Sequence, residues 1–279
     1  MGARFAFVKG HGTENDFVLL PDHDGTRHAD LDAATVRRLS DRHSGLGADG
    51  VIRVVRSETL AEGRAHDAEW FMDYRNADGS LAEMCGNGVR VLALYLWSSG
   101  LAARDELQIG TRGGVRRVRE ETDGSITAQM GSATQVMVRE PVQVTVGGLT
   151  WLADAVFVPN PHAVVFVDDL DDAGRMLVAP QVEAGTVFPD GANVEFVVVR
   201  GERHIALRVW ERGVGETRSC GTGVCAAAWT AMRRAGVPPG TSYAVDVPGG
   251  RMTVTERTDG ELLLTGPAEL GVAGEVDLG

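Results

Sequence analysis

A short motif that occurs twice places the strongest constraint on the fold of this chain. Residues 85–89 read CGNGV, and residues 220–224, which lie 135 positions later, read CGTGV. Each copy runs directly into an apolar segment, VRVLALYLW in the first case and VCAAAWTAM in the second. Self-similarity of this kind predicts two related halves. At the same offset Asn76 corresponds to Glu211, so we expect the halves to share a fold and to carry different side chains.

Hydrophobic periodicity predicts eight strands and a helix behind each cysteine. The strand segments are rich in β-branched residues, whereas the segments behind the cysteines are apolar nearly all round, as buried helices are. A further helix is predicted over DAATVRRLSDRH. The pattern indicates an α+β fold with two pseudo-symmetric domains, each a mostly antiparallel sheet wrapped around a central apolar helix. The predicted strands are RFAFVKG, FVLLP, VIRVVR, VQVTV, AVVFVDD, VEFVVVR, IALRVWE and MTVTE.

The two copies of the motif suggest where the chain divides. We expect an N-terminal half over residues 1–132, which carries Cys85, and a C-terminal half over residues 133–266, which carries Cys220. The polar stretch EETDGS and the following MGSATQ separate the two halves. Residues 267–279 are expected to form a tail that packs back on the N-terminal half.

Composition narrows the class of partner and compartment. The 279 residues include 39 acidic and 27 basic side chains, for a net charge of -12, and no basic run is present. A nucleic-acid partner is therefore not expected, because phosphate binding uses clustered Lys and Arg. No apolar stretch approaches the roughly 18 residues that span a bilayer, and three cysteines suit a reducing compartment. These features predict a cytoplasmic protein with no membrane partner.

Three familiar kinds of site are disfavoured by residue type or spacing. Lys9 is the only lysine, and its setting FVKGHG fits neither a phosphate-binding P-loop nor a pyridoxal Schiff base. Residues 45–50 match G-x-G-x-x-G, but a helix pattern precedes them and a strand pattern follows, which predicts a turn rather than a dinucleotide site. The seven histidines show no metal-binding spacing, so no metal is expected.

Cys85 and Cys220 each stand at a Gly-rich turn before a predicted helix. The positive end of a helix dipole stabilises a thiolate, whereas Cys225 is predicted to be a small buried apolar residue. Racemising an amino acid removes the α-proton from one face and returns a proton to the other, so two matched acid/base groups suit that chemistry. Without pyridoxal, helix amides must stabilise the charge that develops. The amides available in these two turns belong to Gly86, Asn87 and Gly88 and to Gly221, Thr222 and Gly223.

Six segments of the sequence match motifs of one known family: KGHGTENDF at 9–17, NADGS at 76–80, MCGNG at 84–88, NPH at 160–162, ERGVGET at 211–217 and CGTG at 220–223. With these motifs in the same order, the sequence resembles the diaminopimelate epimerase family over nearly the whole chain. The resemblance implies a pyridoxal-independent enzyme of lysine and peptidoglycan precursor biosynthesis that interconverts LL- and meso-diaminopimelate. It further implies Cys85 and Cys220 as the proton-transfer groups, a homodimer, and neither a cofactor nor a metal.

The resemblance also implies a set of substrate-binding side chains. Arg212 can hold a distal carboxylate in bidentate fashion, and Glu211 can accept from an ammonium group. His162 is an auxiliary candidate that can shape or polarise the site, and Gly50 stands where some members of the family carry a glutamine that contacts substrate. The side chains implied to line the pocket are those of Asn15, Asn76, Asn160, Asn193, Glu211 and Arg212. The amides implied to bind the reacting carboxylate are those of Gly86, Asn87, Gly221 and Thr222.

Two alternatives remain open at this point. One is another two-cysteine racemase of the same fold, acting on proline, hydroxyproline or histidine. Such substrates have a single amino acid group and no use for a distal clamp made by Glu211 and Arg212. The other alternative is a non-catalytic protein that binds small anions or amino acids at its helix N-termini, and binding without α-proton exchange would identify it.

Overall fold

A computed structural model of the chain describes residues 4–28, 31–137 and 140–278. Their contacts group them into two compact units. The first unit comprises the residues up to 128 together with those from 267 onward, and the second comprises residues 129–266. The domain limits expected from sequence stay a prediction, because grouping by contacts does not test whether either part folds by itself.

The first unit contains one sheet, two α-helices and two short 3₁₀ turns. The helices are α1 (Ala33–Ser40) and α2 (Gly86–Ser98), and the 3₁₀ turns are Ser57–Thr59 and Gly63–Ala65. The strands are β1 (Arg4–Gly12), β2 (Asn15–Pro21), β3 (Gly50–Arg56), β4 (Trp70–Asn76), β5 (Leu107–Thr111), β6 (Gly114–Glu120), β7 (Ile126–Ser132) and, near the end of the chain, β19 (Glu269–Asp277).

The sheet of the first unit runs in the order β19-β1-β2-β3-β4-β5-β6-β7. The pairs β2–β3 and β4–β5 are parallel, and the other pairs are antiparallel. Helix α2 follows β4 and contacts β1, β2, β3, β5, β6 and β19. Because the sheet surrounds it, α2 buries side chains on nearly all of its faces, as its continuous apolar sequence predicts.

Helix α1 is shorter than the sequence predicts. The pattern DAATVRRLSDRH covers residues 32–43, whereas the helix ends at Ser40. Asp32 caps its first turn by accepting a hydrogen bond from the amide of Thr35. Asp41 ends the helix because its carboxylate accepts from the amides of His43 and Ser44, which turns the chain locally.

The second unit is also one sheet around a helix. Its helix is α3 (Gly221–Ala235), and a 3₁₀ turn lies at Leu170–Ala173. The strands are β8 (Thr134–Gln135), β9 (Val142–Val146), β10 (Leu149–Val158), β11 (Asn160–Phe166), β12 (Gln181–Glu183), β13 (Asn193–Gly201), β14 (His204–Glu211), β15 (Gly215–Thr217), β16 (Ser242–Val247), β17 (Gly250–Glu256) and β18 (Glu261–Gly266).

The strand order of the second unit repeats that of the first. The sheet runs β12-β9-β10-β11-β13-β14-β16-β17-β18, with β8 on β10 and β15 on β14. Its parallel pairs are β11–β13 and β14–β16. From β10 to β18 the pairs therefore alternate as they do from β1 to β7, and α3 follows β14 as α2 follows β4. The predicted fold class, two pseudo-symmetric sheets around central helices, is confirmed.

Most of the strand and helix predictions agree with the structure. All eight predicted strand segments contain strands, but AVVFVDD extends past the end of β11 at Phe166, where the polar Asp168 and Asp169 begin a turn. Cys225 is fully buried in α3, as predicted. Within the described ranges, none of the helices is both long and apolar enough to cross a membrane.

Candidate active site

Strand register gathers the predicted site residues of the first unit at one edge of its sheet. Asn15 begins β2, Asn76 ends β4, and Gly50 begins β3 between them. Phe17 pairs with Gly50, and Gly50 pairs directly with Asn76. Asn15 follows a tight hairpin in which Thr13 and Glu14 both adopt left-handed φ angles, of 51° and 60°. The strained backbone of Thr13 and Glu14 thus places Asn15 at this edge of the sheet.

Cys85 occupies the N-cap of α2 at the same edge. Its backbone is extended, with φ -139° and ψ 121°, and its side chain is half-buried. The amide of Gly88 donates to Cys85 Sγ over 3.4 Å, and the thiol lies 3.6 Å from Asn15 Oδ1. The sequence prediction of a cysteine at the N-terminus of a buried helix is confirmed for this residue.

Two asparagines and two charged residues form a chain of hydrogen bonds beside Cys85. Asn15 Nδ2 donates to Asp49 Oδ2 over 2.8 Å, and Asn15 Oδ1 accepts from Asn87 Nδ2 over 3.1 Å. Asn87 Oδ1 in turn accepts from an Arg90 guanidinium nitrogen over 3.0 Å. Because the side chain of Asn87 is hydrogen-bonded within the protein, the group of this residue that we expect to bind a ligand is its backbone amide.

Asp49 also belongs to a cluster of ion pairs. Arg42 bridges Asp49 and Asp16, with N–O distances of 2.7 Å to each, and Lys9 lies 2.5 Å from Asp16. Burial raises the pKa of Asp49, and the charge of Asp16 adds to that effect against the hydrogen bond from Asn15. Burial acts in the same direction on Asp16, but hydrogen bonds from Arg42 and Lys9 outweigh it and lower the pKa. The single lysine of the chain therefore has a structural ion-pair role here.

Asn76 lies in a turn. Its Nδ2 donates to Ser80 Oγ over 3.0 Å, and its backbone amide donates to the Ser80 carbonyl over 3.0 Å. Gly79, with a left-handed φ of 88°, closes the turn by donating to the Asn76 carbonyl. The position at the end of β4 brings Asn76 to the same edge as Asn15, but a ligand would have to compete with Ser80 for its amide.

The second unit collects its predicted residues at the equivalent edge. Asn160 begins β11, Asn193 begins the parallel strand β13, and Glu211 ends β14, the antiparallel neighbour of β13. Cys220 occupies the N-cap of α3. The correspondence of Glu211 with Asn76, predicted from sequence offset alone, is confirmed by their positions at the ends of equivalent strands.

The thiol of Cys220 is more enclosed than that of Cys85. Cys220 as a whole residue is 7% exposed, and its Sγ lies 3.5 Å from Thr222 Oγ1. Burial raises the pKa of Cys220 well above the usual thiol value, and the nearby carboxylates of Glu211 and Glu195 add to the rise. The amide of Gly223 acts in the opposite direction, as the helix N-terminus leads one to expect, but desolvation outweighs it.

A fully buried pair lies beneath the first turn of α3. His162 Nδ1 is 2.7 Å from Glu195 Oε1, and both side chains are completely inaccessible. His162 Nε2 lies 3.0 Å from Asn160 Oδ1. Glu195 fits there because the overlying residue is Gly223, where an added Cβ would lie 2.6 Å from Glu195 Oε1. His162 therefore links the buried carboxylate to the asparagine at the edge of the sheet.

Arg212 and Asn193 are joined through the backbone. The amide of Arg212 donates to Asn193 Oδ1 over 2.9 Å, which leaves the NH₂ group of Asn193 as a donor. The guanidinium of Arg212 is exposed and donates to the carbonyl of Asp190 over 3.1 Å. Glu211 Oε1 accepts from Thr217 Oγ1 over 2.5 Å. Glu211 and Arg212 thus bring an anion and an exposed cation to adjacent positions at this edge.

The G-x-G-x-x-G motif at residues 45–50 does not form part of a dinucleotide-binding unit, as the sequence predicts. It follows α1 and precedes β3, so the order of elements is the reverse of a dinucleotide-binding unit. Gly47 has a left-handed φ of 70°, and its carbonyl accepts from Lys9. In the described part of the chain, no three His, Cys, Asp or Glu side chains are grouped so that they could hold a metal ion.

Sequence reasoning missed three charged residues close to the cysteines. Arg90 and Glu195 are fully buried, and Asp49 is half-buried. A signal for two of them was present, because Arg90 interrupts the apolar run VRVLALYLW and Glu195 interrupts VEFVVV. A charged residue within an otherwise buried element needs a specific partner, and that requirement marks it for inspection.

Comparison with known proteins agrees with this geometry. The sequence profile of the diaminopimelate epimerase family matches residues 7–136 and 155–271. The chain belongs to the diaminopimelate epimerase family. A protein of Streptomyces coelicolor named diaminopimelate epimerase is 52% identical over 284 residues, which cover 99% of this chain and 97% of the relative. The diaminopimelate epimerase of Thermobifida fusca is 48% identical over 98% of each chain.

Solved structures outside this family share its fold. A hydroxyproline epimerase from Agrobacterium vitis superposes with a TM-score of 0.71 at 16% identity, covering 100% of this chain and 94% of its own. A phenazine biosynthesis protein of the PhzF family from Bacillus anthracis superposes with a TM-score of 0.70 at 17% identity, covering 98% and 99%. At this level of identity the likeness concerns the fold alone, which the diaminopimelate epimerase family has in common with both.

Proposed function

We propose that this protein interconverts LL- and meso-2,6-diaminopimelate, with Cys85 and Cys220 as its two acid/base groups. The observation that carries the proposal is the matched position of these two residues. Each is the N-cap of the buried central helix in a unit of the same strand order. Membership in the diaminopimelate epimerase family supplies the substrate.

The chemistry follows from the two thiols. One cysteine, as thiolate, removes the α-proton, and the other, as thiol, delivers a proton to the opposite face of the same carbon. The roles exchange when the reaction runs in reverse. Because amides in the first turn of a helix have no partner within the helix, they can bind the α-carboxylate and stabilise the negative charge that develops. The amides proposed for this task are those of Gly86, Asn87, Gly221 and Thr222.

The side chains at the two sheet edges are proposed to recognise the rest of the substrate. Arg212 exchanges its contact with the Asp190 carbonyl for the distal carboxylate, and Glu211 accepts from an ammonium group. Asn193 is held by the Arg212 amide in the orientation that offers its NH₂ group. His162 contributes by contacting Asn160. The remaining proposed contacts come from Asn15, Asn76 and Asn160.

The test is proton NMR in deuterated water with purified, reduced protein and no added cofactor. We expect the α-proton signal of LL-diaminopimelate to disappear as the meso isomer forms. In a parallel sample with proline, we expect no exchange of the α-proton. Exchange of proline alone would assign the protein to another racemase of the same fold. Binding without exchange of either would contradict catalysis altogether.

Cys225→Ala is the matched control for this experiment. Cys225 lies in α3 only five positions beyond Cys220, is fully buried, and takes no part in the proposed chemistry. The variant is therefore expected to exchange the α-proton at close to the wild-type rate. Equal loss in Cys225→Ala and Cys220→Ala would show that Cys220, like Cys225, matters only for packing.

We also propose that the enzyme works in the cytoplasm as a homodimer and needs neither a cofactor nor a metal. The three cysteines form no disulfide in the described part of the chain, which suits a reducing compartment. Light scattering during gel filtration tests the dimer, and a monomer at all concentrations would contradict it. Unchanged activity after dialysis against a chelator, in protein without pyridoxal absorbance, is the expected result for the second point.

A further inference from the structure

Arg90 occupies an unfavourable position for a charged side chain. It is fully buried on α2, and its guanidinium reaches back over the first turn of that helix. Burial penalises a cation, and the positive end of the helix dipole penalises it again. Gly12 makes the necessary room, because a Cβ there would lie 3.1 Å from an Arg90 nitrogen. An arginine that is kept in this position despite both free-energy costs is expected to have a specific role.

The contacts of Arg90 lead to the turn that carries Cys85. One guanidinium nitrogen donates to the Gly86 carbonyl over 3.2 Å, and another donates to Asn87 Oδ1 over 3.0 Å. Gly86 and Asn87 are the two residues that follow the cysteine and whose amides are proposed to bind the carboxylate. Arg90 therefore contacts both of them from the buried side.

Donor and acceptor rules fix the direction of every group in this chain. Arginine can only donate, so Asn87 must face Arg90 with its oxygen and Asn15 with its NH₂ group. Asn15 then accepts through Oδ1 and donates through Nδ2. The acceptor of Nδ2 is Asp49, whose carboxylate can only accept. A donor-only group at one end and an acceptor-only group at the other thus impose the same orientation on both carboxamides.

Cys85 meets the middle of this chain. Its Sγ lies 3.6 Å from Asn15 Oδ1, so the thiol faces a carbonyl oxygen to which S–H can donate. Reversal of the Asn15 carboxamide would replace that oxygen with an NH₂ group, and reversal of Asn87 would favour this by setting its own oxygen against Asn15 Oδ1. The orientation set by Arg90 therefore decides which kind of group the acid/base thiol contacts.

We propose that Arg90 is a positioning residue for Cys85: it fixes the orientation of Asn87 and Asn15 and braces the Gly86–Asn87 turn from beneath. The inference rests on the proposed function, in which Cys85 is an acid/base group. No part of the substrate needs to contact Arg90. Its action on the reaction passes through the two asparagines and the backbone of the turn.

The first test compares Arg90→Met with Arg53→Met. Arg53 is a matched control, because it is a buried arginine on β3 of the same unit and pairs with Asp22, 2.7 Å away. We expect Arg90→Met to lower kcat/KM about tenfold or more, the usual effect of losing hydrogen bonds to a charged group. Arg53→Met is expected to lower stability while leaving kcat/KM per folded molecule within about twofold.

The second test is independent of turnover. The rate of alkylation of Cys85 by iodoacetamide, followed by peptide mass spectrometry across pH, reports the protonation of that thiol. Removal of a nearby cation is expected to shift the Cys85 profile to higher pH in Arg90→Met, with Cys220 unchanged. The charges of Asp49, Asp16, Lys9 and Arg42, which face this site through Asn15, remain in the variant.

Arg90→Lys keeps the charge but carries its donors on one nitrogen, whereas Arg90 uses two nitrogens for the Gly86 carbonyl and Asn87 Oδ1. It is expected to restore the Cys85 profile and to recover part of the lost kcat/KM, and it carries the test if Arg90→Met does not fold. Wild-type behaviour of Arg90→Met in both assays, or the same Cys85 shift in Arg53→Met, would overturn the inference. Failure of the wild type to exchange the α-proton of diaminopimelate would instead overturn the proposed function, and the alkylation result would still decide whether Arg90 acts on Cys85.

Discussion

The two units share a strand order but bury different side chains beneath their central helices. In the first unit the space under Gly88 is apolar, since a Cβ there would lie 3.1 Å from Ile52 and 3.5 Å from Phe17. Phe17 and Ile52 lie at the register positions that His162 and Glu195 occupy in the second unit. The same backbone thus supports an apolar floor in one unit and a buried polar pair in the other.

The two central helices also differ, and here it is the first unit that carries the charged side chain. Arg90 on α2 and Cys225 on α3 have the same offset from their cysteines, and both are fully buried. The first unit therefore buries a cation near Cys85, whereas the second buries the carboxylate of Glu195 near Cys220. A cation favours the thiolate form of a neighbouring cysteine and an anion favours the thiol form. A repeated backbone can thus hold two chemically unequal acid/base groups.

The largest expected effect tests whether both units contribute a proton-transfer group. Cys85→Ala and Cys220→Ala should each lower the rate of LL-to-meso conversion by about 10³-fold, the usual size of an acid/base contribution. Chiral chromatography of the product measures the rate, and circular dichroism checks the fold. Substantial turnover by either variant would mean that one unit alone supplies the chemistry.

The next effect tests the apolar floor of the first unit. Ile52→Glu places a carboxyl group at a fully buried position without a histidine beside it, and should lower the free energy of unfolding by about 3 kcal/mol. Adding Phe17→His supplies the partner present in the second unit and should recover part of the loss. Urea denaturation of both variants measures this, and equal destabilisation with and without the histidine would refute the equivalence of the two floors.

A smaller effect concerns the unequal thiols themselves. Burial raises the pKa of Cys220 above the usual thiol value, with the charge of Glu211 as the next cause, so its thiolate forms at higher pH than that of an ordinary cysteine. At pH 8 we expect iodoacetamide to modify Cys220 about tenfold more slowly than Cys85, and its rate to keep rising above pH 9. A Cys220 rate that levels off below pH 9 would contradict this assignment.

The smallest effect concerns the acceptor end of the hydrogen-bond chain beside Cys85. Asp49→Ala removes the acceptor of Asn15 Nδ2 and should lower kcat/KM about fivefold, whereas Asp49→Asn keeps an acceptor and should lower it less. Because burial raises the pKa of Asp49, protonation as pH falls begins at a higher pH than for an ordinary aspartate, so the loss of activity in acid should be reduced in Asp49→Asn. Steady-state rates between pH 5 and pH 8, chosen to span that range, provide the measurement, and identical acid limbs would count against Asp49.

Sequence patterns succeeded where the information is local. The apolar runs behind Cys85 and Cys220 predict buried helices, and both helices begin at the residue after the cysteine. Strands without such a run were missed, for example β6, whose sequence GVRRVRE is mostly charged. Its pairing with β5 and β7 comes from the sheet rather than from its own side chains.

Local sequence patterns also predicted part of the candidate site. Motif spacing and family resemblance named the residues at the sheet edges, whose roles stay predictions until they are tested. The same spacing led us to treat residues 45–50 only as a turn, although Asp49 within it accepts from Asn15. That contact joins positions far apart in the chain, and no local pattern reports it.

By itself the sequence determined the twofold repeat, the two cysteines at helix N-termini and the diaminopimelate epimerase family. Each of these depends on residues that are adjacent or evenly spaced along the chain. Only the tertiary structure decided that Arg90 reaches Asn87 while Glu195 reaches His162 and lies under Gly223. Strand register and burial bring those groups together, and the free energy of a buried charge depends on its neighbours in space rather than in sequence.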